Sequence, residues 1–186
     1  SGLVGSEMCI RDSEHTHHHS HNHQVPWDAM TAGFYEPGWS SAMLRRLVHA
    51  AELVANDVVV DADCGDGTAL RAAAAWVIRG KLIGVTNDPD TARAATAGHP
   101  VAERFAYQPA LPVGEATVLW VIGPVSRWTS PEAAVASLRD ALAPGGRLFI
   151  GANLEDSGID PARPGDPMPL RAVMKAAGLR GVEVRR

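Results

Sequence analysis

Hydrophobic and polar positions along this chain switch repeatedly between the period of a helix and that of a strand. Over SSAMLRRLVHAAELVA (residues 40–55), Met43, Leu44, Leu47, Val48, Ala51 and Val54 recur at three- and four-residue spacing. That spacing predicts a helix with one apolar face, capped by Ser40 or Ser41. DVVVDAD (57–63) is a short β-branched run that stops at CGDG, and Leu70, Ala73, Trp76 and Val77 then return to helical spacing before Gly80. KLIGVT (81–86) reads as a second strand, and DPDTARAATAG (88–98) as a helix with Asp88 capping, Pro89 in the first turn and Gly98 at the end. A weaker strand over 104–107 precedes ATVLWVIG (116–123), a clear fourth strand, and a helix from Ser130 carrying Val135, Leu138 and Leu142. APGGRLFIGANL (143–154) turns into a fifth strand. The stretch 155–169, rich in Pro, Asp and Gly, reads as a loop; LRAVMKAAGL (170–179) follows as a helix and VEVRR (182–186) as a sixth strand.

Strands alternating with helices at this spacing predict an α/β fold: a doubly wound, mostly parallel sheet with helices on both faces and right-handed crossovers. No internal repeat interrupts the alternation. A length of 186 residues, with 46% hydrophobic and 20% charged, suits one soluble domain with a real core. The formal charge of -4 supplies no basic face, so nucleic acid is not an expected partner. Two cysteines, Cys9 and Cys64, build neither a disulfide framework nor a cysteine zinc site. No apolar run approaches the roughly 18 residues of a membrane span, and the first residues lack the pattern of a signal peptide. A cytoplasmic protein without membrane contact is expected.

The two ends read differently from the body. SGLVGSEMCIRDS has neither helical nor alternating periodicity and is similar to translated adaptor sequence at the ends of reading frames assembled from environmental DNA. The tract that follows crowds His15, His17, His18, His19, His21 and His23 into a polar segment with nothing to bury. Residues 1–24 are therefore expected to be a structureless tail and 25–186 the domain. A flexible histidine tract fixes no coordination geometry, so its metal affinity is expected to be adventitious and no metal site is assigned.

In an open α/β sheet, ligands bind beyond the carboxyl ends of the strands where the strand order reverses. The turn after the first strand of the domain is Asp61-Ala62-Asp63-Cys64-Gly65-Asp66-Gly67. Its glycines let the backbone bend and approach a ligand, and the following helix start offers N–H groups to a carboxylate or phosphate. Tight strand-to-helix turns also need glycine for steric reasons alone, so the motif order matters more than the pair. VVVDADCGDG resembles the first motif of the class I S-adenosylmethionine-dependent methyltransferases, and LRDALAPGGRLFI resembles that family's helix, Pro-Gly-Gly turn and fifth strand. LRAVMKAAGLRGVEVRR is similar to its penultimate helix and sixth strand, so the resemblance runs over 40–186. A nicotinamide-type fold is disfavoured, because its pattern needs Gly or Ala where Leu70 stands.

The resemblance implies a Rossmann-like core, S-adenosyl-L-methionine as cofactor and methyl transfer to a small molecule. It places Asp61, Ala62, Asp63, Cys64, Gly65 and Gly67 around the cofactor's amino acid part, Thr86 and Asn87 beside the ribose, Tyr107 beside the adenine, and Ile122 with Trp120 near the cofactor at the end of the fourth strand. Three positions depart from the family pattern: Asp63 stands at its first glycine, Thr86 at its ribose-binding acid and Tyr107 at its adenine-contacting acid. These departures raise the alternative of a catalytically degenerate binding protein of the same fold. The resemblance also implies a last antiparallel strand between the fifth and sixth, for which no residues remain after VEVRR. An unpaired edge and self-association are the expected consequences. His49 falls on the polar helix face and His99 in a turn; both read as surface residues. Trp27, Phe34, Tyr35 and Trp39 cluster ahead of the first helix, where they read equally as a lid over the site or as core.

Overall fold

The computed structural model describes residues 5–11, 27, 30 and 41–185, with residues 5–11 and 41 described through their backbone. Seven strands form one sheet in the order β4-β3-β2-β5-β6-β1-β7, built from β1 (Gly5–Arg11), β2 (Val58–Asp61), β3 (Lys81–Val85), β4 (Phe105–Gln108), β5 (Ala116–Ile122), β6 (Leu142–Asn153) and β7 (Glu183–Arg185). Strands β2 to β6 are mutually parallel. The helices are α1 (Ser41–Ala51), α2 (Thr68–Ala74), α3 (Pro89–Thr96), α4 (Pro131–Ala141) and α5 (Met168–Ala176). The predicted α/β alternation is thus the observed one.

Each face of the sheet carries its own core, as strand periodicity requires. In β5, Leu119 and Val121 face one way and pack with Ala134, Val135 and Leu138 of α4 and Leu170 and Met174 of α5. Val118, Trp120 and Ile122 face the other way and pack with Leu47 and Ala51 of α1 and Leu70 and Ala73 of α2. Local signals act where expected: Asp88 caps α3, accepting from the Thr91 N–H at 3.2 Å and the Thr91 hydroxyl at 2.6 Å, with Pro89 in the first turn.

Several expectations are corrected. Helix α2 ends at Ala74, so Trp76 lies beyond it and is 57% exposed; Val54, beyond the end of α1, is 60% exposed. Leu142 opens β6 instead of closing α4. The largest correction concerns the tail. Residues 5–11 are not structureless: they form β1, antiparallel to both neighbours, pairing seven residues with β6 and three with β7. The antiparallel strand expected to be missing is therefore present, supplied from the N-terminal side of the domain, and the gap between β6 and β7 is closed. Twelve-residue β6 leaves a long row of N–H and C=O groups beyond its ladder with β5, and an extended segment that reaches it satisfies them on one side and those of β7 on the other. Phe34, Tyr35, Trp39 and the histidine tract lie outside the described residues. Trp27 is fully buried and meets Trp128 edge to face, with ring centroids 5.8 Å apart, so it belongs to the core.

Candidate functional site

Strand order reverses between β2 and β5: from β2 the chain winds outward through β3 and β4, and it then returns to add β5 on the other side of β2. Asp61 and the turn after it sit at that switch point, with the Ala62 N–H donating to the Trp120 carbonyl across the reversal at 2.8 Å. The pairing registers place Tyr107 beside Gly84, Gly84 beside Asp61, Asp61 beside Trp120 and Trp120 beside Phe149. Paired residues share a face, so these five make one row across the sheet, on the side covered by α1 and α2.

Asp61 is 2% exposed, and among the described residues the Asp63 N–H donates to its Oδ1 at 3.2 Å. Burial pushes its carboxyl up to about 7, and that hydrogen bond only partly offsets the effect. The next residues turn tightly. The Cys64 N–H donates to the Val85 carbonyl at 3.2 Å, tying the turn to the end of β3, and Gly65 and Gly67 take left-handed φ of 50° and 81°. Cys64 is buried, and its thiol is raised by burial and then by the Asp61, Asp63 and Asp66 carboxylates, so it stays protonated. Asp63 is half-buried and Asp66 exposed. Asp66 serves the start of α2, accepting from the Thr68 N–H at 3.1 Å and hydroxyl at 2.6 Å, while Arg71 donates to the Asp66 carbonyl at 2.7 Å and to the Thr68 hydroxyl at 3.0 Å.

Tyr107 lies inside the row. It is 8% exposed, its hydroxyl donates to the Thr96 hydroxyl at 2.8 Å, and its ring stacks on Phe105 with centroids 6.5 Å apart. A Cβ on Gly84 would stand 2.7 Å from the Tyr107 ring and 2.6 Å from the Cys64 sulfur, so the glycine inside β3 exists to let both lie across it. A Cβ on Gly67 would meet Thr96 at 3.0 Å and the Tyr107 hydroxyl at 3.1 Å. Gly67 thus serves internal packing, and the ring of Tyr107 is committed to the protein. Thr86, at the end of β3, is half-buried; its N–H donates to the Gln108 carbonyl and its hydroxyl accepts from the Asp88 N–H at 3.1 Å. Asn87 beside it is exposed. Ile122 closes β5 among buried residues, and Trp120 is fully buried with an indole N–H that has no acceptor among the described residues.

The structure therefore brings Asp61, Cys64, Gly67 and Tyr107 together directly, sets Thr86 and Asn87 one strand away at the same carboxyl edge, and leaves Ile122 across the switch point. Sequence reading missed Gly84, Thr96 and Arg71. Only Gly84 carried a signal, a glycine interrupting an otherwise apolar strand. His49 is exposed, whereas His99 is half-buried, its Nδ1 accepting from the Val101 N–H and its ring edge-on to Phe105 at 5.2 Å.

No protein-family profile matches the chain, and no curated protein sequence does. Solved structures do. A SAM dependent methyltransferase from Aquifex aeolicus superposes with a TM-score of 0.61 at 15% identity, over 74% of this chain and 79% of that one. The cyclase SpnF gives 0.60 at 20% identity, over 78% and 62%. A geranyl diphosphate methyltransferase, solved in complex with GPP and sinefungin, gives 0.53 at 19% identity over 60% of this chain; the chain spans 45% of its length. With this strand order and these superpositions, the chain has the Rossmann-like fold seen in S-adenosylmethionine-dependent methyltransferases.

Proposed function

We propose that this protein is an S-adenosylmethionine-dependent methyltransferase acting on a small molecule. The observation that carries the proposal is Asp61: a carboxylate held out of water at the switch point, on the strand that ends in the left-handed Gly65–Gly67 turn. An isolated buried carboxylate is costly, and a cationic ligand group beside it removes that cost. The cofactor's aminoacyl ammonium is such a group, so Asp61 and the Asp63–Gly67 backbone fit its methionine end. At the nucleoside end, Thr86 and Asn87 offer neutral hydrogen-bonding groups to the ribose. Tyr107 is bound to Thr96 and buried on Gly84, so it shapes the pocket wall without presenting its ring for stacking.

When bound, the cofactor supplies an electrophilic methyl on a sulfonium. The chain's own contribution is to hold that group at the carboxyl edge of β2 and β5 and to keep water away with the apolar end of β5, including Ile122. Positioning an acceptor in line with the methyl supplies most of the acceleration for such a displacement, and no dedicated base is required.

A second reading is a binding protein of the same fold without catalysis, favoured by the three departures Asp63, Thr86 and Tyr107. Titration calorimetry with S-adenosylmethionine and with S-adenosylhomocysteine tests the cofactor site. No heat with either overturns the enzyme reading; heat with both keeps it, and methyl transfer from labelled S-adenosylmethionine to an acceptor then tells the enzyme from a protein that only binds. NADH added to the protein is expected to leave tryptophan fluorescence unchanged, against an oxidoreductase.

A further inference from the structure

Away from the carboxyl edge, α1 and the residues around the end of α2 leave an apolar groove of about 720 Å³. Leu44, Val48 and Leu53 form one wall, Ala72 and Trp76 the other. Arg45, His49 and Glu52 complete the lining, and Trp76 within it is 57% exposed, apolar surface left to water.

The outward stripe of α1 has a symmetry of its own. Arg45, Val48 and His49 of α1 and Glu52 just past its end follow one another at spacings of three, one and three, on the face opposite buried Leu47 and Ala51. Arg45 and Glu52 are exposed, lie two turns apart, and have no ion-pair partner among the described residues. Glu52 also carries φ of 46°, the only left-handed non-glycine residue among those described. A carboxylate is thus held at a helix end where glycine would be less strained.

We propose that this face is a two-fold interface between copies of this chain. Two α1 helices packed antiparallel about an axis between residues 48 and 49 place Arg45 of each opposite Glu52 of the other, and Leu44 opposite Leu53. Charge and apolar walls match themselves under that one operation, which is what an isologous contact requires. The interface covers the groove and Trp76 while leaving the carboxyl edge of the sheet free, so it does not depend on the cofactor reading.

The test is the mass of the full-length protein in solution, by light scattering or sedimentation across a concentration series. The parent is expected to reach twice the mass of one chain, more weakly at high salt. Arg45→Glu and Glu52→Arg, each confirmed as folded by circular dichroism, turn two attractions into two repulsions. Each should raise the dissociation constant by roughly tenfold or more. The double variant Arg45→Glu/Glu52→Arg restores opposite charges across the axis and should dimerise like the parent. A parent that stays a single chain at every concentration overturns the proposal, as the groove would then serve a foreign partner or none. Single variants that dimerise as the parent does overturn it in favour of a sheet-edge contact, and a double variant that stays dissociated overturns the two-fold register.

Discussion

Asp61 keeps its proton to about pH 7 because the row from Tyr107 to Phe149 shuts out the water that would solvate its charge. In the unfolded chain the same carboxyl ionises near its ordinary value of 3.8. Between those values the folded protein binds more protons than the unfolded one, so stability falls as pH rises from about 4 to about 7 and is level on either side. The difference is worth on the order of 4 kcal/mol at its fullest. Asp61→Asn, which cannot ionise, is expected to melt higher than the parent at pH 8 and to converge on it below pH 4. Melting curves for which the gap is independent of pH would show that Asp61 is not the group titrating. At Gly84, an added methyl meets the Cys64 sulfur and the Tyr107 ring inside normal contact, and neither can move without displacing the turn or the Thr96 hydroxyl. Gly84→Ala should lower the stability by about 1–3 kcal/mol, read in urea as a lower midpoint with an unchanged slope, whereas Gly98→Ala, with nothing within 4 Å of its Cβ, should be close to neutral. Asp61 and Gly67 are legible in the sequence because a glycine-rich turn after a β-branched run is a local signal. Thr96 is not: its role depends on a tyrosine eleven residues away on the next strand, and nothing in either neighbourhood marks the pair.

Periodicity carries the elements, and it fails where an element ends or where pairing alone makes a strand. The α1 and α4 stripes and the β5 run are visible because one face, or both, is buried. Trp76 is misassigned because helical spacing continues past Ala74 after the helix has stopped. Strand β1 has no amphipathic alternation to betray it and is recognised only by what it joins. Its removal should therefore be felt: among the described residues β7 pairs with β1 and with no other strand. Deleting residues 1–11 is expected to lower the melting temperature by several degrees and to expose the edge of β6 to aggregation. A deletion variant that melts and sediments like the parent would mean that β1 adds nothing to the sheet. The turn between β2 and α2 is the other element with a testable consequence. Asp61, Asp63 and Asp66 gather three carboxylates around the position proposed for the cofactor's own carboxylate, with Arg71 drawn toward Asp66 at 3.8 Å. Asp63→Gly lowers that repulsion and should tighten S-adenosylmethionine binding by about 1–2 kcal/mol, or roughly five- to thirtyfold. Calorimetry on both proteins reads this directly, and unchanged or weaker binding would move the cofactor away from the turn.

At the scale of the whole molecule, the two cores are joined through one sheet, and the proposed ligand sits at the edge where both end. Binding there must therefore appear as global stability. A ligand that binds only the folded state adds roughly 2.7 kcal/mol at a hundred times its dissociation constant, which for a chain of this size is a melting shift of about 5–10 °C. Asp61 gives that shift a pH dependence with a definite sign. Below about pH 7 the carboxyl is neutral and offers the aminoacyl ammonium only a dipole; above it, the ionised carboxylate and the ammonium neutralise each other in a dry site. The stabilisation by S-adenosylhomocysteine should accordingly be larger at pH 8 than at pH 6, with most of the change near neutrality, while Asp61→Asn should show a small shift at both. Thermal melts of parent and variant with and without the ligand distinguish three outcomes. No shift at either pH removes the cofactor from this fold's switch point. Equal shifts in the parent leave the cofactor bound but take Asp61 out of contact with its ammonium. A larger shift at pH 8 that disappears in Asp61→Asn ties the buried carboxylate, the turn it closes and the stability of the whole sheet to a single binding event.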